Sequence, residues 1–239
     1  MLEDSEIERV LVVTAHPDDV DFGASGTVSG WTAAGVEVVY CICTDGDAGG
    51  FDPSVPRGEI PGIRQAEQRA AGAAVGVTDV RFLGYHDGSL EATQDLRRDI
   101  SRVIRQVRPQ RMLIQSPERN WRRIGASHPD HLAAGVAAIA AIYPDARNPF
   151  AHTSLLADEG LEAWTAVETW VMAHPENNHA VDITDRFAAK MAALGAHASQ
   201  TAHMADLEER LRGWGALNAK EAGLDSGRLA ERFFVVSTA

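Results

Sequence analysis

The chain has 239 residues, 45% of them hydrophobic and 23% charged, the profile of a soluble globular protein long enough to bury a core without disulfide or metal staples. Acidic residues outnumber basic ones 34 to 22, for a formal charge of -12. No Lys/Arg-rich run offsets that balance, so nucleic acid and anionic membrane surfaces are excluded as expected partners.

The first nine residues are acidic and polar, without the basic and apolar segments of a secretory leader, which predicts a cytoplasmic protein. Residues 10–15 (VLVVTA) form a β-branched apolar run that predicts a buried parallel strand. A polar turn follows, then a helical pattern over 23–34 stopped by Gly35. Residues 36–43 predict a second strand and complete a β-α-β unit. Cys41 and Cys43 would share one face of that strand, too poorly placed for a mutual disulfide, and are expected as reduced, buried thiols. Residues 44–61 form a Gly- and Pro-rich loop of a length that is often functional. Further helices are predicted over 63–75, 94–107 and 127–142, and strands over 79–83 and 111–115. The Ala-rich stretch 132–143 is too short to span a bilayer. Residues 148–161 read as irregular, and 165–173 as a half-exposed strand at a sheet edge. Helical patterns over 184–200 and 206–222, the second grouping Leu207, Leu211, Trp214 and Leu217, precede a short closing strand over 233–236. With no repeat or linker, the expectation is one domain over 1–239, α/β in class with a mostly parallel sheet.

Two constellations carry chemistry. His16-Pro17-Asp18-Asp19 follows the first strand directly, at the strand end where open α/β sheets collect ligands. A phosphate-binding turn would be Gly-rich, and this one is bulky and anionic. His128-Pro129-Asp130-His131 opens a helix after the fourth strand. Ser127 and Asp130 have capping-box spacing, Pro129 suits the first turn, and the two histidines, three apart, share a face. Two histidines and one aspartate make a three-ligand set with open positions, the pattern of a catalytic metal. The same donors suit Fe(II), so a non-haem iron enzyme stays open at this point, as does a sugar- or metal-binding module without turnover.

Ala15 to Asp19 together with His128 to His131 resembles the LmbE/PIG-L family of zinc-dependent N-deacetylases. The likeness extends to Arg64-Gln65-Ala66-Glu67, to Leu83-Gly84-Tyr85-His86-Asp87-Gly88, and to Val181-Asp182-Ile183-Thr184 with Lys190 and His197 to Gln200. It implies a Rossmann-like three-layer αβα fold that hydrolyses the N-acyl group of an amino-sugar conjugate, a small molecule; self-association is left open. It further implies that His16, Asp19 and His131 bind Zn²⁺ (Fe²⁺ or another divalent ion being the alternative). Asp18 would be the general base and His128 would steady the oxyanion, protonated for that purpose. Arg64 and Asp87 would meet sugar hydroxyls. Asp130 would either orient and charge His128 or cap its helix, and Arg64 has an alternative partner in Glu67, three residues on. The sequence departs from the family at Val20, where Glu is frequent; Asp21 then stands ready to orient a metal-bound histidine or to cap the first helix. Relatives that use a tyrosine before the second motif have no counterpart here, so protonation of the departing amine falls to Asp18 or His128. Arg119, Arg122 and Arg123 form a small basic cluster, expected as solvated surface or as an attractor for an anionic aglycone.

Overall fold

The first apolar run becomes β1 (Arg9–Thr14), an interior strand of a seven-stranded sheet. In the computed structural model, which describes residues 2–239, β1 pairs in parallel with β2 (Glu37–Thr44) and with β4 (Arg111–Gln115). Beyond β2 lies β3 (Asp79–Tyr85), and beyond β4 lies β5 (Glu168–Met172), both parallel. A final antiparallel pair, β6 (His179–Asp182) and β7 (Ala230–Ser237), completes the order β3-β2-β1-β4-β5-β7-β6.

Alternation along the strands sorts the core into two layers. Leu11, Val13, Cys41, Cys43, Met112 and Ile114 pack on one face against α3 (Gln94–Val107) and α4 (Pro129–Ala140). Val10, Val12, Tyr40, Ile42 and Leu113 pack on the other, against α1 (Asp19–Ala33), α2 (Ile60–Ala74) and α6 (Phe187–Ala196). The shorter α5 (Ser154–Ala157) and α7 (Ala198–Thr201) join loops, and α8 (Leu207–Glu221) packs Leu211 onto Ile183, Phe187 and Leu229. The three-layer αβα expectation holds, and Cys41 and Cys43 are free and buried.

Two expectations need correction. β5 is no edge strand: all five of its residues are buried between β4 and β7. Its polar positions are satisfied from neighbouring segments, with Glu168 taking hydrogen bonds from Arg111 and Trp170, and that imitates an exposed face in the sequence. The edge beyond it is β6, formed by residues that carry no alternation strong enough to read. Of the grouped apolar residues in α8, Leu217 is left exposed while Leu211 is buried.

The topology explains where a site must form. The chain lays β2 and β3 on one side of β1, then returns to place β4 on the other. The crevice at the carboxyl ends of β1 and β4 is therefore the switch point of the sheet, where no crossover covers the strand ends.

Candidate metal and catalytic centre

Both sequence motifs converge on that crevice. The Ala15 N–H donates to Gln115 Oε1 at 2.8 Å, tying the ends of β1 and β4 together. The chain then turns through His16 and Pro17 into α1, which starts at Asp19, four residues before the helical pattern begins. Asp18 stands at the turn with φ of 98°, left-handed backbone that a non-glycine residue adopts only when its surroundings enforce it. Those surroundings are visible. The Asp18 N–H donates to Gln68 Oε1 at 2.8 Å, and Arg64 Nη2 donates to the Pro17 carbonyl and, at 3.1 Å, to Asp18 Oδ2.

On the other side, α4 enters over the end of β4. Gly135 permits this approach, because a β-carbon there would lie 2.6 Å from the Gln115 carbonyl oxygen. His128, rather than Ser127, caps the helix: its Nδ1 accepts the Asp130 N–H at 3.2 Å, while the Ser127 hydroxyl accepts the Asn120 N–H. Pro129 occupies the first turn, as its fixed φ favours.

The donors meet as follows. His16 Nδ1 lies 3.2 Å from His131 Nε2 and 3.3 Å from Asp19 Oδ2, and His131 Nε2 lies 2.9 Å from Asp19 Oδ1. Bonds of ~2.0–2.1 Å to a tetrahedral ion imply donor separations of about 3.3 Å, so the three edges suit one divalent cation. Two ring nitrogens facing each other this closely also require a proton or a cation between them. His16 Nε2 contacts Asp130 Oδ2 and Asp87 Oδ1, each at 3.1 Å. Those carboxylates hold the ring proton at Nε2 and leave the Nδ1 lone pair facing His131, the arrangement found behind metal-bound histidines. Two further donor groups share His16 with that set, His16 with His128 and His131 and His16 with Asp87 and Asp130, and each brings its ligand atoms within 4.8 Å of one another.

The Asp130 carboxylate is thus hydrogen-bonded to His16 rather than to His128, and it also accepts the Gly88 and Leu90 N–H groups at 2.7 and 3.2 Å. Arg64 is not paired with Glu67, which instead binds Ser199. It is 3% exposed and bridges Asp18 to Asp87, whose Oδ2 is 3.6 Å from Nη1. Gly46 and Gly49 in the long loop make room for it, since a β-carbon at either would meet the guanidinium within 3.0 Å. Asp21 neither caps α1 nor touches a histidine of the centre; it is fully buried against His197 and Gln68.

Burial raises the Asp18 carboxyl to about 7, with Asp19 adding to the shift and Arg64, His197 and His16 opposing it. For Asp19 burial works the same way, but His131 and His16 outweigh it and hold the carboxyl well below its ordinary value. Burial disfavours a charged His16, yet Asp19, Asp130 and Asp87 together push it up to about 12 in the metal-free arrangement. His128 moves the other way, lowered by burial and by its two histidine neighbours. With Nδ1 already accepting a hydrogen bond, its neutral ring carries the proton at Nε2. The histidine neighbours work against the protonated His128 that was expected.

The centre has two flanks. Arg64 and Asp87 stand on the β2–β3 side. On the β4–β5 side a cleft of about 710 Å³ begins at Asp19 and His131 and is walled by Phe22, Met172, His174, Arg122, Arg123 and Trp214, among others. Arg123 lies over the Trp214 ring at 3.9 Å. Sequence reasoning missed Gln68 and Asp47. Gln68 could have been found, since it lies four residues after Arg64 on the same helix face. Asp47 sits in the long loop and accepts the Asp87 N–H at 2.8 Å, with Arg57 and His86 on its other oxygen.

A doubly wound α/β sheet with a His/Asp cluster at its switch point defines a class of enzymes whose chemistry is set by the strand-end loops. Within it, residues 11–142 match the model of the family "PIG-L: GlcNAc-PI de-N-acetylase", and the chain belongs to that family. It is 32% identical over 196 residues to a diacetylchitobiose deacetylase of Thermococcus kodakarensis, covering 82% of this chain and 71% of the relative. It is 36% identical over 205 residues to a probable N-acetyl-alpha-D-glucosaminyl L-malate deacetylase 2 of Bacillus cereus, covering 82% and 85%. The structure of N,N'-diacetylchitobiose deacetylase from Pyrococcus horikoshii superposes with a TM-score of 0.88 at 28% identity, over 97% of this chain and 85% of that one.

Proposed function

We propose that this protein is a divalent-metal-dependent hydrolase that removes an N-acetyl, or another small N-acyl, group from an amino-sugar conjugate. The observation that carries this reading is the spare carboxylate. Asp18 sits beside three converged donors without being one of them, its backbone strained into place and its carboxyl raised to about 7, first by burial. A hydrolase needs such a base for water, whereas an oxygenase built on two histidines and a carboxylate does not. Family membership and deacetylase relatives support the same reading.

His16, Asp19 and His131 are the proposed ligands. Zn²⁺, the proposed ion, would supply Lewis acidity there, making water a competent nucleophile near neutral pH. Asp18 takes the proton of the attacking water as the C–O bond forms at the amide carbon. His128 Nε2–H donates to the developing oxyanion; losing one such donor costs about 100- to 1000-fold in rate. Asp18 then delivers its proton to the nitrogen as the C–N bond breaks, leaving carboxylate and amine. Asp87, held by the buried Arg64, lies on the side proposed for the sugar hydroxyls, and the cleft on the β4–β5 side receives the rest of the conjugate. A cytoplasmic setting belongs to the same proposal. No helix among the described residues is long and apolar enough to cross a membrane.

The test follows amine release from a panel of N-acyl amino sugars, starting with diacetylchitobiose and N-acetylglucosaminyl malate. Metal-loaded wild type should turn over at least one member, and Asp18→Ala should lose about 100-fold or more. No release from any member, or an Asp18→Ala variant as active as wild type, contradicts the proposal.

A further inference from the structure

Behind Asp18 runs a chain of buried hydrogen bonds that the proposed chemistry does not use. His197 Nε2 donates to Asp21 Oδ2 at 2.8 Å, Gln68 Nε2 donates to the same oxygen at 2.8 Å, and Gln68 Oε1 accepts the Asp18 N–H at 2.8 Å. Asp21, Gln68 and His197 are all fully buried. The arrangement is poor for stability alone. Asp21 Oδ1 and His197 Nδ1 are buried without a hydrogen-bond partner among the described residues, and apolar side chains would fill the same space without that desolvation.

What the chain supplies is direction. A glutamine amide can present either its oxygen or its nitrogen to a neighbour. Asp21 accepts only, so it draws the Gln68 nitrogen toward itself and turns the oxygen toward the Asp18 N–H. Lys190 Nζ anchors the same turn of α1 from the other side, donating to the Asp21 and Phe22 carbonyls at 2.9 and 2.8 Å. The left-handed conformation of Asp18 depends on that oriented acceptor, because in it the backbone N–H points away from α1 and toward α2.

We propose that Gln68, oriented by Asp21 and His197, is a positioning residue that locks the Asp18 backbone in its left-handed conformation and so aims its carboxylate at the attacking water. The proposal rests on the reading of Asp18 as the base. None of the three residues touches substrate, so their removal should lower kcat and leave KM and metal content unchanged. Misplacing a catalytic group in this way typically costs roughly 10- to 100-fold.

Polarity gives a test that a merely structural role would not pass. Gln68→Met removes the acceptor, and Gln68→Glu sets two carboxylates against each other. Asp21→Asn alone keeps an oxygen where Gln68 and His197 donate and places its amide nitrogen at the unpartnered Oδ1 position, so it should stay near wild type. In the Asp21→Asn, Gln68→Glu double variant the introduced amide can donate to the introduced carboxylate, whose other oxygen accepts the Asp18 N–H, with His197 carrying its proton at Nδ1. Gln68→Met and Gln68→Glu should each lose roughly 10- to 100-fold in kcat at constant KM and bound metal, and the double variant should regain most of the Gln68→Glu loss. Wild-type kcat in either Gln68 variant, or a double variant no better than Gln68→Glu, overturns the proposal. Should the double variant fail to fold, Gln68→Met decides alone: a kcat loss at constant KM and metal supports the role, and wild-type kcat overturns it. Asp18→Ala is measured alongside: full activity there overturns the reading of Asp18 as base and this proposal with it, whereas an inactive Asp18→Ala beside Gln68 variants of wild-type kcat overturns this proposal alone.

Discussion

Arg64 shows how much a single buried side chain can organise. Its guanidinium reaches the Pro17 carbonyl, the Asp18 carboxylate, the Gly46 carbonyl and Asp87 at once. A lysine offers a point charge in place of that planar fork. Arg64→Lys should therefore lower kcat/KM roughly 10- to 100-fold while the protein stays folded, as steady-state kinetics and circular dichroism would report. Unchanged kinetics would mean that the fork is not used. His16, Asp19 and His131 were legible in the sequence because each lies in a contiguous His-Pro-Asp motif. The strain at Asp18 was not, since φ there is enforced by Gln68 and Arg64 from another helix. The contact of Asp130 was hidden for a related reason: its neighbour in sequence is His128, but its carboxylate crosses to His16.

Among the elements, α4 matters most for the site, because it delivers His128 and His131 over the end of β4. Its seat depends on Gly135, where any side chain meets the backbone of residues 115–117. Gly135→Ala should destabilise by about 1–3 kcal/mol through overpacking, read as a fall of several degrees in Tm. Gly213, in the middle of α8, faces open space, and a β-carbon added there would meet no atom within 4 Å. Gly213→Ala should instead raise stability by about 0.5–1 kcal/mol through helix propensity. The same shift at both positions in thermal melts would contradict the packing described for α4. Helices and strands with strong periodicity were readable to within a few residues: α3 and β4 fall where their patterns predict. β5 misled because its buried Glu168 is neutralised by Arg111 from β4, a partner 57 residues away in sequence.

For the whole molecule, the excess of acids has a stability signature. Asp47 and Asp99 are held below the ordinary carboxylate value; burial alone would raise both, but the Asp87 N–H and Arg57 at the first, and Arg102 and Tyr85 at the second, outweigh it. As pH falls, such carboxylates take up protons in the unfolded chain first. Their contribution is therefore present above about pH 4 and is lost as pH drops through their lower folded values. Tm of the metal-free protein should fall between pH 5 and 3, and Asp99→Asn should flatten the fall; a Tm independent of pH over that range would contradict these pairings. The α/β class followed from the alternation of elements, yet the strand order and the antiparallel β6–β7 pair did not, because pairings between distant segments leave no local periodicity. Metal-dependent hydrolysis with Asp18 as base is best tested by running the reaction in ¹⁸O-enriched water and reading the carboxylate product by mass spectrometry. Metal-loaded wild type should place solvent oxygen in the released carboxylate, while metal-free protein and Asp18→Ala should release almost none. Carboxylate release at the same rate without metal, or without solvent label, would contradict that mechanism.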